Sequence, residues 1–418
     1  MQKIVLEGGN KLIGEVNVSP AKNACLPIIA SLIALDGEIL LKNAPKIADV
    51  LVMAQIIECL GGSYKYCENG LRLNTQNIKV YEADCFICKK ARASFFIVGG
   101  LLARFKKAVV PLPGGCNIGT RPIDIHINVM KQFGVQSEII DDKVIFNGEN
   151  AKSGKVVLSY PSVGATVNAI CLSAFLKGES IILNAAREPE IVDLCNFLNA
   201  CGCKIMGGGT SCLRIIGIRA LQKIKIEYLP IKDRIEAGSY MCMAAITGGN
   251  IAFKYDNFEY ISKMAEKLID IGVEIKRNKN EVLLFANRGL KAFNLVADVY
   301  PAFPTDMQSL FCSLATSCEG QSKIEDKVFV NRFDLCKELI KMGAKIEIEK
   351  GKAVVTGVNK LKGAKVFACD LRAGAALITA GLNAEGRTEI YNSEMISRGY
   401  EDIINKLKKL GAKIKEEI

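Results

Sequence analysis

The sequence predicts an α/β protein of two similar domains, each built from three repeated α/β units around buried helices. The first observation is a short sequence motif, called the first phrase below, in which a hydrophobic residue is followed by glycine and then by a strand-like run. This motif recurs about every seventy residues. A second is a glycine-bearing phrase ahead of it that also leads into a strand, such as Lys177-Gly178-Glu179. The glycines of the first phrase are Gly62, Gly134, Gly202, Gly272, Gly343 and Gly411. Six such units divide most simply into two domains of three.

Each glycine phrase is typical of a helix that ends on glycine and turns into a strand. The helices that end at the second phrase are apolar nearly all round, as in the run from Ala165 to Leu172. Helices of this composition lie inside a domain. They are predicted at residues 22–35, 92–105, 162–176, 233–247, 305–318 and 371–384. The alternate helices carry lysine and glutamate on one face and should lie outside.

No linker rich in serine, proline or glycine separates the two groups of units. We expect the first domain to cover residues 22–230 and the second to combine residues 1–21 with residues 231–418. The first strand, at residues 3–6, precedes the first helix and is expected to complete the distant C-terminal half. The chain would then cross between the domains twice.

The 418 residues carry a formal net charge of +11, which suggests an anionic partner: a nucleic acid, an acidic membrane or phosphorylated small molecules. The chain has no tryptophan and no interleaving of basic and aromatic residues, so nucleic-acid binding is not expected. The longest apolar stretch, residues 25–35, is too short for membrane insertion. The N-terminal residues lack the apolar segment of a secretion signal, so the sixteen cysteines indicate reduced thiols in a cytoplasmic protein.

The residue types available restrict the chemistry. His126 is the only histidine, which excludes a histidine-rich metal site. Cys85 and Cys88 form a lone C-x-x-C pair without a second pair, so zinc binding is not expected. General acid–base catalysis would therefore fall mostly to Asp, Glu, Lys, Cys or Tyr.

One loop, residues 112–122, places Cys116 directly after two adjacent glycines. Farther along the loop, Arg121 offers a planar fork of donors for a phosphate or carboxylate. A thiol beside a guanidinium is favoured as the reactive thiolate. The alternative is a glycine-rich turn with a stray cysteine. The other fifteen cysteines lie mostly in apolar helices or beside strands, where a thiol is expected to be buried and inert.

Polar residues begin the six buried helices. Ser162, Asp233 and Asp370 are expected to cap their helices. A cation at such a position is disfavoured by the helix dipole, so it needs an anionic partner, either a ligand or a protein carboxylate such as Asp233 or Asp370. The cations concerned are Lys22, Arg92, Arg234 and Arg372. As a set, they favour an anionic ligand.

Several motifs follow one another along the whole chain. They include Ala21-Lys22-Asn23-Ala24, Leu112-Pro113-Gly114-Gly115-Cys116, Arg121-Pro122-Ile123-Asp124-Ile125-His126, Ser162-Val163-Gly164-Ala165-Thr166, Pro304-Thr305-Asp306-Met307-Gln308, Asn331-Arg332-Phe333, Asp370-Leu371-Arg372-Ala373 and Arg398-Gly399-Tyr400-Glu401. Together they resemble the family of UDP-N-acetylglucosamine 1-carboxyvinyltransferases. The resemblance implies the enolpyruvyl transferase fold, an inside-out α/β barrel in two domains with the active-site cleft between them.

The resemblance also implies a reaction. The enolpyruvyl group of phosphoenolpyruvate is transferred to the 3′-hydroxyl of UDP-N-acetylglucosamine (UDP-GlcNAc) with release of phosphate, the first committed step of peptidoglycan synthesis. Cys116 matches the family's cysteine that acts as an acid and can form a covalent adduct, and Asp306 matches the carboxylate that takes the hydroxyl proton. Lys22 and Arg398 complete the implied catalytic set. No metal or organic cofactor is implied, and a monomer is expected.

Substrate-binding residues follow from the same resemblance. The cations that would hold phosphate and carboxylate are Lys22, Arg92, Arg121, Arg332, Arg372 and Arg398. The residues that would surround UDP-GlcNAc are Asn23, Arg121, Pro122, Ile123, Asp124, Ile125, Ser162, Val163, Gly164, Asp306 and Val328. Fosfomycin is the inhibitor that the resemblance suggests, acting at Cys116.

The chain departs from the family pattern near the expected nucleotide. Ala48 and Tyr160 stand where lysine is common, so positive charge is lost and affinity for UDP-GlcNAc is expected to change. The alternative is a related enolpyruvyl transferase or a weakened paralogue that acts on another UDP-sugar. The shikimate-pathway enolpyruvyl transferase shares the fold and the donor, but it lacks the Cys116 loop.

Overall fold

The computed structural model describes residues 2–114, 123–218, 223–287, 289–329 and 331–417, except for the side chain of Cys85. Within these ranges the chain forms two compact units. We call residues 20–114 with 123–231 the N-terminal unit, and residues 2–19 with 232–417 the C-terminal unit.

The described residues form thirteen α-helices and five 3₁₀ helices. The α-helices are α1 (Lys22–Ser31), α2 (Ala48–Cys59), α3 (Cys85–Cys88), α4 (Ile97–Phe105), α5 (Asp124–Gln132), α6 (Val163–Ser173), α7 (Pro189–Ala200), α8 (Arg234–Thr247), α9 (Ser262–Asp270), α10 (Gln308–Ala315), α11 (Asp334–Lys341), α12 (Leu371–Asn383) and α13 (Ile403–Lys409). The 3₁₀ helices are Leu32–Ala34, Arg92–Phe96, Phe258–Ile261, Thr305–Met307 and Ser393–Arg398. In this part of the chain, every helix is too short or too polar to cross a bilayer.

The same ranges contain twenty-four strands. They are β1 (Lys3–Glu7), β2 (Ile13–Glu15), β3 (Asp36–Lys42), β4 (Ser63–Cys67), β5 (Gly70–Asn74), β6 (Lys107–Pro111), β7 (Gln136–Ile140), β8 (Lys143–Asn147), β9 (Lys155–Val157), β10 (Gly178–Leu183), β11 (Lys204–Met206), β12 (Cys212–Gly217), β13 (Lys223–Tyr228), β14 (Asn250–Lys254), β15 (Glu274–Asn278), β16 (Glu281–Phe285), β17 (Asn294–Asp298), β18 (Phe303–Pro304), β19 (Gln321–Asp326), β20 (Lys345–Glu349), β21 (Lys352–Thr356), β22 (Lys365–Phe367), β23 (Arg387–Tyr391) and β24 (Lys413–Glu417).

Three sheets surround three buried helices in the N-terminal unit. The strand orders are β13-β3-β5-β4, β6-β8-β7 and β11-β12-β10-β9. Most residues of α1, α4 and α6 are buried in the hydrophobic core. The strands alternate, as on β12, where Leu213 and Ile215 face the core and their neighbours face solvent. The helices therefore lie inside the unit and the sheets outside.

The C-terminal unit repeats this arrangement with α8, α10 and α12 at its centre. Its strand orders are β15-β16-β14-β2, β18-β17-β19-β21-β20 and β22-β23-β1-β24. Strand β1 lies between β23 and β24, with Val5 opposite Glu389 and Lys415. Every residue of α8 is buried, as the apolar composition predicts. The structure therefore has the predicted fold class.

Close helix packing in the N-terminal unit requires a glycine. A β-carbon built on Gly99 of α4 would lie 2.3 Å from the backbone oxygen of Asn168 on α6. Any larger residue would push the two helices apart. Glycine at position 99 therefore lets the start of α4 approach the middle of α6 closely.

Candidate active site

A carboxylate shared by two buried arginines lies at the start of α10 in the C-terminal unit. Asp306 belongs to the 3₁₀ turn Thr305–Met307. Its Oδ1 accepts a hydrogen bond of 2.9 Å from Nη2 of Arg332, and its Oδ2 accepts one of 3.1 Å from Nη2 of Arg372. The side chains of the two arginines are 4% and 2% exposed, whereas that of Asp306 is 27% exposed. Because a carboxylate has about four lone-pair sites, Asp306 can accept a further hydrogen bond from a ligand.

Arg372 is the most deeply buried charge of this cluster. Burial works against the guanidinium charge, but Tyr400 and Asp306 outweigh that effect and raise the pKa of Arg372. Among the described residues, Nε and Nη1 of Arg372 and Nε of Arg332 have no hydrogen-bond acceptor. A buried donor without an acceptor is costly. The cluster therefore has three donor nitrogens suited to an anion.

A second carboxylate, Asp326, supports the cluster from the end of β19. Its Oδ2 accepts a hydrogen bond of 2.6 Å from the hydroxyl of Thr305, whose oxygen accepts one of 2.9 Å from Nη1 of Arg332. Its Oδ1 accepts hydrogen bonds from the backbone N–H groups of Val328 and Phe329, at 2.9 and 2.8 Å. Asp326 is 1% exposed, and burial raises its pKa. The predicted residue Val328 is thereby tied to the turn that carries Asp306.

Arg398 ends the 3₁₀ helix Ser393–Arg398 and is half-buried. Just beyond it, the ring of Tyr400 lies 5.4 Å from Cζ of Arg372. The hydroxyl of Tyr400 is 2.8 Å from Oγ of Ser239 on α8. These contacts bring the segment of Arg398 next to the arginine cluster.

In the N-terminal unit, Lys22 begins α1 and is buried. Its Nζ lies 3.2 Å from Oδ2 of Asp49, in the first turn of α2. Lys22 therefore has the protein carboxylate that a cation at a helix start requires, but the carboxylate is neither Asp233 nor Asp370. Those two residues cap α8 and α12, as predicted. The next predicted residue, Asn23, is half-buried.

The first turns of α5 and α6 hold the other predicted UDP-GlcNAc residues of this unit. Ser162 caps α6, and its hydroxyl accepts a hydrogen bond of 3.4 Å from the N–H of Ala165. The half-buried members of the set are Ile123, Ile125, Ser162, Val163 and Gly164, and Asp124 is exposed.

A buried pair, Asn168 and His126, joins these turns. Nδ2 of Asn168 lies 2.9 Å from Nδ1 of His126. Burial, with a contribution from the charge of Arg92, lowers the pKa of His126 to about 3, so the imidazole is neutral. Arg92 is half-buried at the start of the 3₁₀ helix Arg92–Phe96. The pair therefore brings together three of the predicted binding segments.

Some predicted residues lie elsewhere. Cys116, Arg121 and Pro122 lie outside the described residues. Arg234 begins α8, where its Cζ lies 5.7 Å from the ring centroid of Tyr300.

Within the described ranges, no three His, Cys, Asp or Glu side chains are grouped to hold a metal ion.

The cysteines are mostly, but not all, buried. Ten of the fourteen free cysteines in the described residues are buried, while Cys59, Cys212 and Cys369 are exposed. Burial raises the pKa of Cys195 and of Cys203 to about 12, which makes these thiols unreactive at neutral pH. The expectation of inert thiols therefore fits the buried cysteines and not the exposed three.

Comparison with known proteins decides the family. A relative from Trichlorobacter lovleyi, named UDP-N-acetylglucosamine 1-carboxyvinyltransferase, is 42% identical over 415 residues, which cover 99% of each chain. A relative from Clostridium tetani, named UDP-N-acetylglucosamine 1-carboxyvinyltransferase 2, is 41% identical over 416 residues and 99% of each chain. The chain belongs to the UDP-N-acetylglucosamine 1-carboxyvinyltransferase family.

A broader family model and solved structures agree with this assignment. The model described as EPSP synthase (3-phosphoshikimate 1-carboxyvinyltransferase) matches residues 6–407. The enolpyruvyl transferase NikO from Streptomyces tendae superposes with a TM-score of 0.90 at 22% identity, covering 99% of this chain and 98% of NikO. EPSP synthase from Acinetobacter baumannii gives a TM-score of 0.76 at 17% identity, covering 100% of both chains. At such identities the structures support the enolpyruvyl transferase fold alone.

The two departures from the family pattern flank the N-terminal unit's site residues. Ala48 is exposed at the start of α2, directly before the Asp49 that pairs with Lys22. Tyr160 is exposed ahead of α6, and its backbone oxygen accepts a hydrogen bond of 2.7 Å from the N–H of Ser162.

Three residues that organise the site were not assigned roles from the sequence. Asp326 ends a strand whose alternate residues face inward, so the sequence pattern indicated a buried carboxylate at this position. Asn168 is an amide within the otherwise apolar helix α6, so the sequence also indicated a buried polar side chain here that needs hydrogen-bond partners. Asp49 gave no comparable signal, because an acidic residue in the first turn of a helix is ordinary.

Proposed function

We propose that the chain transfers the enolpyruvyl group of phosphoenolpyruvate to the 3′-hydroxyl of UDP-GlcNAc and releases phosphate. The observation that carries this proposal is the identity of about 41% over the full length of relatives named for that reaction. The cluster of Asp306, Arg332 and Arg372 supports it, because it combines a partly exposed carboxylate with buried donors for an anion.

The reaction joins the 3′-oxygen of the sugar to C2 of phosphoenolpyruvate and breaks the bond from C2 to the phosphate oxygen. The sugar hydroxyl loses a proton, and Asp306 is the residue we assign to take it. The vinyl carbon gains a proton on the way and returns one when the double bond forms again. We assign the acid role to Cys116, with Lys22 and Arg398 close to the reacting groups.

Anion binding falls to the arginines. Nε and Nη1 of Arg372 and Nε of Arg332 have no acceptor among the described residues, so a carboxylate or phosphate would satisfy them. Because the arginines are buried, their hydrogen bonds to an anion are strong and specific. Lys22, Arg92, Arg121 and Arg398 complete the proposed cationic set.

Nucleotide-sugar binding falls to the first turns of α5 and α6. We assign it to Asn23, Arg121, Pro122, Ile123, Asp124, Ile125, Ser162, Val163, Gly164 and Val328. We propose that the enzyme is a monomer and acts in the cytoplasm. Its role would be in peptidoglycan synthesis, which the cell needs for its shape and for division. No metal or organic cofactor takes part in the proposed reaction.

Release of phosphate from phosphoenolpyruvate tests the proposal. The purified chain is assayed without acceptor, with UDP-GlcNAc, with another UDP-sugar and with shikimate 3-phosphate. We expect release only with UDP-GlcNAc, together with an enolpyruvyl product seen by mass spectrometry. Release with a different UDP-sugar alone would favour the related transferase, and release with shikimate 3-phosphate would contradict the acceptor assignment.

A further inference from the structure

Asn168 on α6 is a buried amide whose polar atoms all have partners. Its Oδ1 accepts a hydrogen bond of 2.9 Å from the backbone N–H of Gly99 on α4. Its Nδ2 donates at 2.9 Å to the backbone oxygen of Phe95 and lies 2.9 Å from Nδ1 of His126 on α5. Asn168 is 0% exposed, so these bonds form out of contact with water. One side chain therefore connects four helical segments.

These partners determine where the imidazole carries its proton. A backbone N–H can only donate and a carbonyl oxygen can only accept, so Gly99 and Phe95 fix which end of the Asn168 amide faces each of them. Nδ2 therefore donates to Nδ1 of His126, and the ring proton lies on Nε2. The lowered pKa of His126, about 3, agrees with this neutral form.

The other edge of the His126 ring faces the first turn of α6. A β-carbon built on Gly164 would lie 2.8 Å from Cε1 and 3.0 Å from Nε2 of His126. The same β-carbon would lie 3.0 Å from a ring carbon of Phe96. Glycine is therefore required at this position, because the imidazole packs directly against it.

We propose that Asn168 and His126 form a positioning pair for the uridine diphosphate sugar. The inference rests on the proposed function and adds two residues to it. The pair holds residues 123–125, residues 162–164 and the turn of Arg92 at fixed spacing before the ligand binds. A preorganised site loses less conformational freedom on binding, so the pair contributes affinity without touching the reacting atoms.

Two substitutions of His126 separate positioning from direct contact. His126→Asn keeps an acceptor close to the position of Nδ1 and removes Nε2, whereas His126→Gln keeps a polar group near Nε2 and removes the acceptor for Asn168. We expect His126→Asn to hold the calorimetric Kd for UDP-GlcNAc within about threefold of the wild-type value. His126→Gln should raise it about tenfold or more, because Asn168 loses a buried partner.

Asn199, an exposed residue near the end of α7, provides a control in the same unit. Its amide makes two hydrogen bonds of 2.8 Å to the backbone of Ile205, away from the predicted binding segments. Asn199→Ala should lower stability and leave the Kd for UDP-GlcNAc unchanged. A raised Kd in this variant would mean that any lost amide in the unit weakens binding, which would overturn a specific role for Asn168 and His126.

The outcomes separate this inference from the proposed function. If the wild type binds UDP-GlcNAc and His126→Gln binds equally well, the positioning pair is overturned and the proposed function stands. If His126→Asn loses affinity while His126→Gln keeps it, Nε2 acts on the ligand directly, and positioning is again overturned. If the wild type does not bind UDP-GlcNAc, the proposed function fails, and the inference fails with it.

The single histidine allows a test without any ligand. Nitrogen-15 histidine labelling of the wild type should give one imidazole in the Nε2–H form that does not titrate between about pH 5 and pH 8. An Nδ1–H form, or a titration near the ordinary histidine pKa, would show that Asn168 does not hold the ring, and would overturn the pair.

Discussion

Two buried polar clusters, one in each unit, have opposite characters. In the C-terminal unit, Arg332 and Arg372 share Asp306, and three of their donor nitrogens have no acceptor among the described residues. In the N-terminal unit, the polar atoms of Asn168 are all satisfied and His126 is neutral. Charged groups with unused donors favour an anion, whereas a satisfied neutral network fixes geometry. We therefore propose that phosphoenolpyruvate binds at the first cluster and that the second cluster fixes the shape of the nucleotide site.

Fosfomycin, a small epoxide with an anionic phosphonate, should react with one cysteine of this chain. Cys116 follows two glycines and precedes Arg121, conditions that favour the thiolate. We expect one adduct, at Cys116, formed faster when UDP-GlcNAc is bound. Cys116→Ala should lose both modification and turnover. Cys116→Asp should escape modification and keep activity, because a carboxylic acid can also deliver a proton.

Intact mass spectrometry followed by peptide mapping measures the fosfomycin adduct. The exposed cysteines Cys59, Cys212 and Cys369 are internal controls, since they are accessible without the proposed anion site. An unmodified protein, or label spread over these three, would contradict the assignment of Cys116.

Asp306→Asn should lower turnover by about 10²-fold or more while UDP-GlcNAc still binds, the usual scale for a lost acid–base group. The reason is that the amide cannot take the hydroxyl proton, although it can still accept a hydrogen bond from Arg332. Steady-state phosphate release and calorimetric binding measure the two effects. Asp298→Asn is the control, because Asp298 is a half-buried acid at the end of β17 that pairs with Lys327 and not with the two arginines, and it should change neither. Near-normal turnover of Asp306→Asn would mean that Asp306 has no acid–base role and serves only as an ion-pair partner.

His126 should make stability depend on pH with a defined sign. Its pKa is lowered from 6.5 to about 3 in the folded protein, so below 6.5 the unfolded chain binds a proton that the folded chain does not. Stability from this residue is therefore present above pH 6.5 and falls as the pH drops toward 3. Between about pH 7.5 and pH 5.5, wild type should lose about 1.4 kcal/mol more than His126→Asn.

Urea unfolding of both proteins at the two pH values measures this difference. The comparison of variants cancels the buried carboxylates, such as Asp326 and Glu236, which are common to both. Equal losses in wild type and His126→Asn would mean that the imidazole is free to ionise, and the neutral character of the N-terminal cluster would be wrong.

The sequence predicted the fold class because its repeats and apolar helices carry the information locally. A glycine with positive φ follows each outer helix of the repeat, and a helix that is apolar all round must be buried. The caps at Ser162, Asp233 and Asp370 were predictable for the same reason, since a cap depends on residues adjacent in the chain.

The partners of the cations were not predictable from the sequence. Lys22 pairs with Asp49, and Arg372 pairs with Asp306, which lies on a different repeat. Such pairs depend on how separate helices pack, and a single sequence does not contain that information. Asp326 and Asn168 show the intermediate case, because their positions signalled a buried polar group but not its partner.

Michaelis constants for both substrates in two variants show whether the two clusters serve different substrates. Arg372→Lys keeps the charge but loses the planar fork of donors, so it should raise the KM for phosphoenolpyruvate about tenfold and leave that for UDP-GlcNAc within about twofold. Gly164→Ala forces the His126 ring to move. It should therefore raise the KM for UDP-GlcNAc about tenfold and leave that for phosphoenolpyruvate within about twofold. If each variant instead raises both constants by the same factor, the division of the two substrates between the two clusters is contradicted.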